Sequence, residues 1–164
     1  MAVYLHGDKK QRPYPVDSGT AIVKGDWLYC DAADGYAVKP ASSFTWNSSL
    51  AQTQSDFALR FAGIADQDFA GESFSTSPTQ YGVQRGEIMV NQGGVYEEDC
   101  AASSNFNPGT LLNCAKQSGN ALEASKVVQT STEVSSTARV WQKVTSSSTV
   151  KLEIYPNLAC ITTA

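Results

Sequence analysis

Thr149-Val150-Lys151-Leu152-Glu153-Ile154-Tyr155 alternates apolar and polar residues without a break. Successive side chains of a strand point to opposite faces, so Val150, Leu152 and Ile154 share one face and Lys151 and Glu153 the other. That is the pattern of an antiparallel strand with one face on a core and one in water. Ala138-Arg139-Val140-Trp141-Gln142-Lys143-Val144, just upstream, alternates partially. Ser146-Ser147-Ser148 between the two reads as a hairpin loop.

Outward from this pair, apolar residues come in short β-branched or aromatic runs broken by Gly, Asn, Asp, Ser and Pro. The spacing predicts strands over 21–24, 27–30, 36–39, 57–65, 80–84, 87–91, 95–97, 110–114, 121–123, 127–129, 137–144 and 149–155. Asn91-Gln92-Gly93-Gly94-Val95 supplies a tight turn, because paired glycines accept the positive φ of hairpin turns. Helix is expected only in short pieces, over 49–55 or 123–126, and 40–56 reads as a long polar loop. Many short strands with turns between them indicate an all-β antiparallel barrel or sandwich with little or no helix.

Residues 25–38 can be laid on residues 109–122 at a constant offset of 84, with Gly25/Gly109, Leu28/Leu112, Cys30/Cys114, Gly35/Gly119 and Ala37/Ala121 identical. Two readings fit: an internal duplication over 18–99 and 100–164, giving two related β-lobes, or the echoes that any β-hairpin protein shows. The expected organisation is an extended N-terminal arm over 1–17 and a single β domain over 18–164.

The chain has 164 residues, 41% of them hydrophobic and 17% charged, which is enough apolar material for a core without staples. Its formal net charge is −4, with twelve Lys and Arg scattered along the chain. This disfavours a duplex nucleic-acid partner, which needs clustered cations. No stretch approaches the roughly 20 apolar residues of a membrane-spanning helix. The first residues lack a basic n-region followed by an apolar h-region, so no secretory signal is expected and folding is expected in cytoplasm.

Cys30, Cys100, Cys114 and Cys160 include no CxxC pair, and His6 is the single histidine, so no zinc spacing can be built. Buried free thiols are the expectation, with a Cys100–Cys114 bridge as the alternative. His6 lies among basic neighbours and no partner in the sequence marks it as a catalytic base, so no catalytic residue and no cofactor are assigned. Asp66, Asp68 and Glu72, and then Glu97, Glu98 and Asp99, read as solvated turns whose spacing matches no calcium loop. Of the tryptophans, Trp27 and Trp141 read as core or interface residues. Trp46, in the polar loop, is the candidate for an exposed contact. A carbohydrate- or surface-binding β module using Trp46 is the alternative function.

The layout resembles tailed-phage capsid decoration proteins, the small β-rich proteins that stud or cement icosahedral heads. The resemblance runs through Gly25-Asp26-Trp27-Leu28-Tyr29, Gly35-Tyr36-Ala37-Val38, Phe61-Ala62-Gly63-Ile64-Ala65, Glu87-Ile88-Met89-Val90, Gly94-Val95-Tyr96, Pro108-Gly109-Thr110-Leu111-Leu112 and the closing hairpin over 140–155. It implies a non-enzymatic virion protein, made in the host cytoplasm and located on the capsid surface. It implies a homotrimer whose partner is the major capsid protein, with no nucleic acid, no membrane and no metal. It further implies capsid contact through an N-terminal arm, which places that contact on Lys9, Lys10, Arg12, Pro13, Tyr14 and Pro15. Pro13 and Pro15 keep such an arm extended, ready to augment a sheet edge.

Overall fold

The computed structural model describes residues 1–34, 37–71 and 86–155. Within them the chain is mostly strand: β1 (Val3–His6), β2 (Gln11–Val16), β3 (Ala21–Ile22), β4 (Trp27–Asp31), β5 (Ala37–Pro40), then helix α1 (Leu50–Arg60). It continues with β6 (Phe61–Ala65), β7 (Phe69–Ala70), β8 (Gly86–Asn91), β9 (Val95–Phe106), β10 (Leu111–Gln117), β11 (Ala121–Gln129), β12 (Ala138–Val140) and β13 (Val144–Ile154). The all-β class holds, with a closed five-stranded barrel as its centre.

The barrel runs β9-β13-β12-β10-β11 and returns to β9 through a parallel bridge, Lys126 opposite Asp99; β1 lies along β9 beside it. A second, antiparallel sheet runs β2-β8-β6-β4-β5. Taken in chain order, the two sheets have one topology: β2, β4, β5, β6 and β8 occupy the places of β9, β10, β11, β12 and β13. The same turn introduces β4 and β10. Asp26 N–H donates to the Val23 carbonyl at 2.9 Å, and Thr110 N–H to the Asn107 carbonyl at 3.1 Å. Gly25 and Gly109 take φ of 91° and 83° in these turns, a conformation that favours glycine. The two equivalent strand sets meet at 92–94, so β2, inside the span assigned to an arm, is the first strand of its sheet.

Alternation within β4 explains its unbroken apolar run. Trp27 and Tyr29 face one cluster with Phe57, Phe61, Tyr96, Leu112 and Leu152, and Trp27 stacks on Phe61 at 5.1 Å. Leu28 and Cys30 face a second cluster with Val16, Val38, Ile88 and Val90. A strand covered on both faces has no polar side to show.

Several expectations are corrected. Residues 57–60 belong to α1, and only Phe61–Ala65 is strand. The short helix expected over 49–55 is the first half of an 11-residue helix that begins in the segment read as a loop and runs on through residue 60. Ser49 caps it, its side chain accepting from Gln52 N–H at 3.3 Å. Its buried face is Thr53, Gln54, Phe57 and Ala58, half polar, which hides the helical period. Residues 123–126 lie in β11 and are not helical. Ser146–Ser148 sit inside β13, where register shifts accompany a φ of 48° at Ser146; the turn after β12 is 141–143. The strand expected over 80–84 lies outside the described residues.

Candidate interaction surface

The N-terminal segment is held by both sheets. Tyr4 of β1 packs edge-on against Tyr96 at 5.6 Å. Lys9 lies over the Tyr4 ring at 5.3 Å and pairs with Asp66 at 2.7 Å. Burial acts to raise the Asp66 carboxyl, but the bonds from Lys9, Asn91 and Gln11 prevail and hold it below the ordinary carboxylate value. Lys9 is thereby committed to an intramolecular pair.

Tyr14 is buried, and its hydroxyl accepts from Gln92 Nε2 at 2.7 Å, so the ring is core and not a contact. Pro13 is exposed and Pro15 half-buried, at alternate positions of β2, an edge strand paired to β8 alone. Prolines at alternate positions withhold their N–H groups from the same edge. That blunts β2 against strand addition. The segment is extended, as its prolines suggested, but it lies in the sheet.

Lys10 and Arg12 remain at the surface, on the wall of a groove of about 690 Å³. His6, Asp8, Trp141, Glu153 and Tyr155 also line it. Trp141 is 50% exposed and Tyr155 is 37% exposed, so of the two readings of Trp141, core or interface, the core one is set aside. Trp141 follows the last residue of β12, Val140, whose side chain takes the inward place. His6 meets the Trp141 ring edge-on at 5.8 Å. Arg139 lies over Tyr155 at 5.9 Å and pairs with Glu153 at 3.0 Å. Lys10 approaches Asp8 at 3.8 Å with both side chains largely exposed, and Arg12 has no ion pair among the described residues. The groove therefore presents two aromatic faces, a histidine and an uncommitted guanidinium.

Trp46 lies elsewhere, half-buried in a cleft beside α1, with the Lys116 ammonium 4.7 Å from its ring centre.

Asp66 is paired as above, Asp68 accepts from Lys24 N–H at 2.7 Å, and Glu72 lies outside the described residues. Glu97, Glu98 and Asp99 lie in β9, not in a turn, and the Glu98 side chain is fully buried. Tyr96, Glu98 and Cys100 share strand parity, and all three are buried, so alternation was the signal that placed Glu98 inward. Its carboxylate accepts from Trp27 Nε1 at 3.0 Å and faces the Met1 ammonium at 3.1 Å. Burial pushes this carboxyl up to about 7 against the lowering effect of those partners. Among the described residues no three His, Cys, Asp or Glu converge as metal ligands. Cys30, Cys100 and Cys114 are buried free thiols, and Cys160 lies outside the described residues. No family model matches the chain, and no curated protein is detectably similar to it.

Proposed function

We propose that this chain is a virion structural protein that binds the outside of an icosahedral capsid and stabilises the expanded shell. The observation that carries the reading is the half-exposed Trp141, which lines one groove of the mostly β body together with Arg12 and Lys10. Tryptophan, tyrosine and arginine dominate the energetic centres of protein interfaces. Desolvating the exposed half of Trp141 against a capsid protein contributes about 2 kcal/mol or more by that precedent. Arg12 adds a planar donor for a carboxylate of the shell. The layout of strand motifs along the chain supports the same reading, and a homotrimer is the assembly it implies.

The proposed mechanism is linkage. A protein that binds only the expanded shell stabilises that state by mass action, so its contribution grows with its free concentration. The test is thermal disruption of expanded shells with and without added protein. The disruption temperature rises with protein concentration and saturates if the reading is right. An unchanged disruption temperature at saturating protein contradicts it.

A further inference from the structure

The geometry points to a second, independent site: a cleft beside α1 that binds a neutral carbohydrate of about disaccharide size. The cleft has a volume of about 630 Å³ and shares no lining residue with the Trp141 groove. That volume falls in the range of roughly 300–1,000 Å³ seen for small-ligand sites.

Its floor is aromatic. Tyr29 and Phe44 meet edge-to-face at 4.8 Å, and Trp46 stands at the rim. Lys116 of β10 holds one face of the Trp46 ring, 4.7 Å from its centre. This cation–π contact favours one orientation of the ring. Sugar rings present one face of C–H groups and a rim of hydroxyls, which suits an aromatic plane bordered by fixed polar groups.

The polar border is present and pre-oriented. The Asp56 carboxylate accepts from Asn47 Nδ2 at 2.8 Å and Gln52 Nε2 at 3.1 Å. The Asp31 carboxylate accepts from Lys39 Nζ at 3.0 Å and from Ala33 N–H at 3.1 Å. Each carboxylate keeps acceptor capacity beyond these bonds, because two oxygens offer about four lone-pair sites. The Arg60 guanidinium lies over the Phe44 ring at 5.9 Å on the same wall.

Charge selects the ligand class. Among the described residues Asp31 is already paired with Lys39, and Arg60 and Lys116 stand about the cleft with Asp56, so the charges offset one another and a neutral ligand leaves those pairs intact. A metal ion is the poorer occupant, since no third ligand joins Asp31 and Asp56 among the described residues. A hydroxyl-rich neutral ligand uses acceptors, donors and the aromatic plane together.

The test is calorimetric titration of the intact protein with a panel of disaccharides. Neutral members are built from glucose, galactose, mannose and N-acetylglucosamine; anionic members are sialylated or sulfated. Saturable binding of at least one neutral disaccharide is expected, weakened by about tenfold or more in Trp46→Ala and Asp56→Asn and unchanged in Trp141→Ala. No neutral binding at about millimolar ligand overturns the proposal, as does binding of anionic sugars alone or full binding by a folded Trp46→Ala protein. Should Trp46→Ala not fold, the indole N–H resonance of Trp46 in the wild type decides. A shift on titration supports the site, and no shift overturns it. The capsid reading stands or falls separately, because it rests on the other groove.

Discussion

Trp27 Nε1 donates to the Glu98 carboxylate at 3.0 Å inside the core, joining β4 of the open sheet to β9 of the barrel. The Met1 ammonium reaches the same carboxylate at 3.1 Å. One acidic side chain thus ties together three segments that are distant in sequence. A buried charge is costly, and these partners offset only part of the cost, since burial still raises the carboxyl.

The pH dependence of stability follows from this site. Burial raises the Glu98 carboxyl from 4.5 to about 7 in the folded protein. Between those values the native state keeps a proton that the unfolded chain has lost, so stability falls as pH rises through the window and levels off above it. The Glu98 contribution is roughly 3 kcal/mol, present at low pH and absent above the folded value. Glu98→Gln can still accept from Trp27 but does not titrate. Denaturant midpoints at about pH 5 and about pH 8 should therefore differ less in this variant than in the wild type. An equal difference in both proteins removes Glu98 from the account.

Gly63 sits where β6 crosses β8, with φ of 136°. A Cβ built there falls 2.2 Å from the Asn91 carbonyl oxygen. Gly63→Ala should destabilise by about 3 kcal/mol or more, since backbone must move and the conformation is strained for alanine. Gly119→Ala is the control. Its φ is 84° but nothing lies within 4 Å, so the cost should be only about 1–2 kcal/mol. Chemical denaturation of the two variants gives the comparison.

Gln54 joins the helix to the barrel, its Nε2 donating to the Cys114 carbonyl at 2.8 Å in the interior. Gln54→Ala leaves that carbonyl without its donor, and the expected loss is about 1–3 kcal/mol in unfolding free energy. Gln54→Leu should lose a similar amount, because filling the volume does not supply a donor.

The thiols of Cys30, Cys100 and Cys114 are almost wholly buried, and burial pushes the Cys100 and Cys114 thiols above their ordinary values. Alkylation follows the thiolate and its exposure. Mass spectrometry after brief treatment of native protein should find these three unmodified, and all three modified once the chain is unfolded.

Legibility in the sequence tracked how closely burial followed hydrophobicity. Val150, Leu152 and Ile154 alternate cleanly and are all buried, so the second half of β13 was readable, whereas its first half, with the irregular Ser146–Ser148, was read as a loop. β4 was equally plain. Helix α1 was only half legible, as a short piece over 49–55, because Thr53 and Gln54 hold half of its buried face and satisfy their polar atoms internally, through the Ser49 and Cys114 carbonyls. Glu98 was misread because a run of three acids suggests water, whereas strand parity turns the middle one inward. The candidate groove was half legible. Lys10 and Arg12 stood out as charge, but the exposure of Trp141 depends on β12 ending at Val140, which composition does not reveal.

The capsid proposal is put to the test by co-sedimentation of wild-type and Trp141→Ala protein with capsid shells from the protein's own source, before and after expansion. The expected result is saturable wild-type binding to expanded shells only, at a fixed ratio to capsid subunits, and loss of that binding in a Trp141→Ala protein that melts like the wild type. No wild-type binding to either shell would contradict the capsid role, and undiminished binding by Trp141→Ala would remove the groove from it.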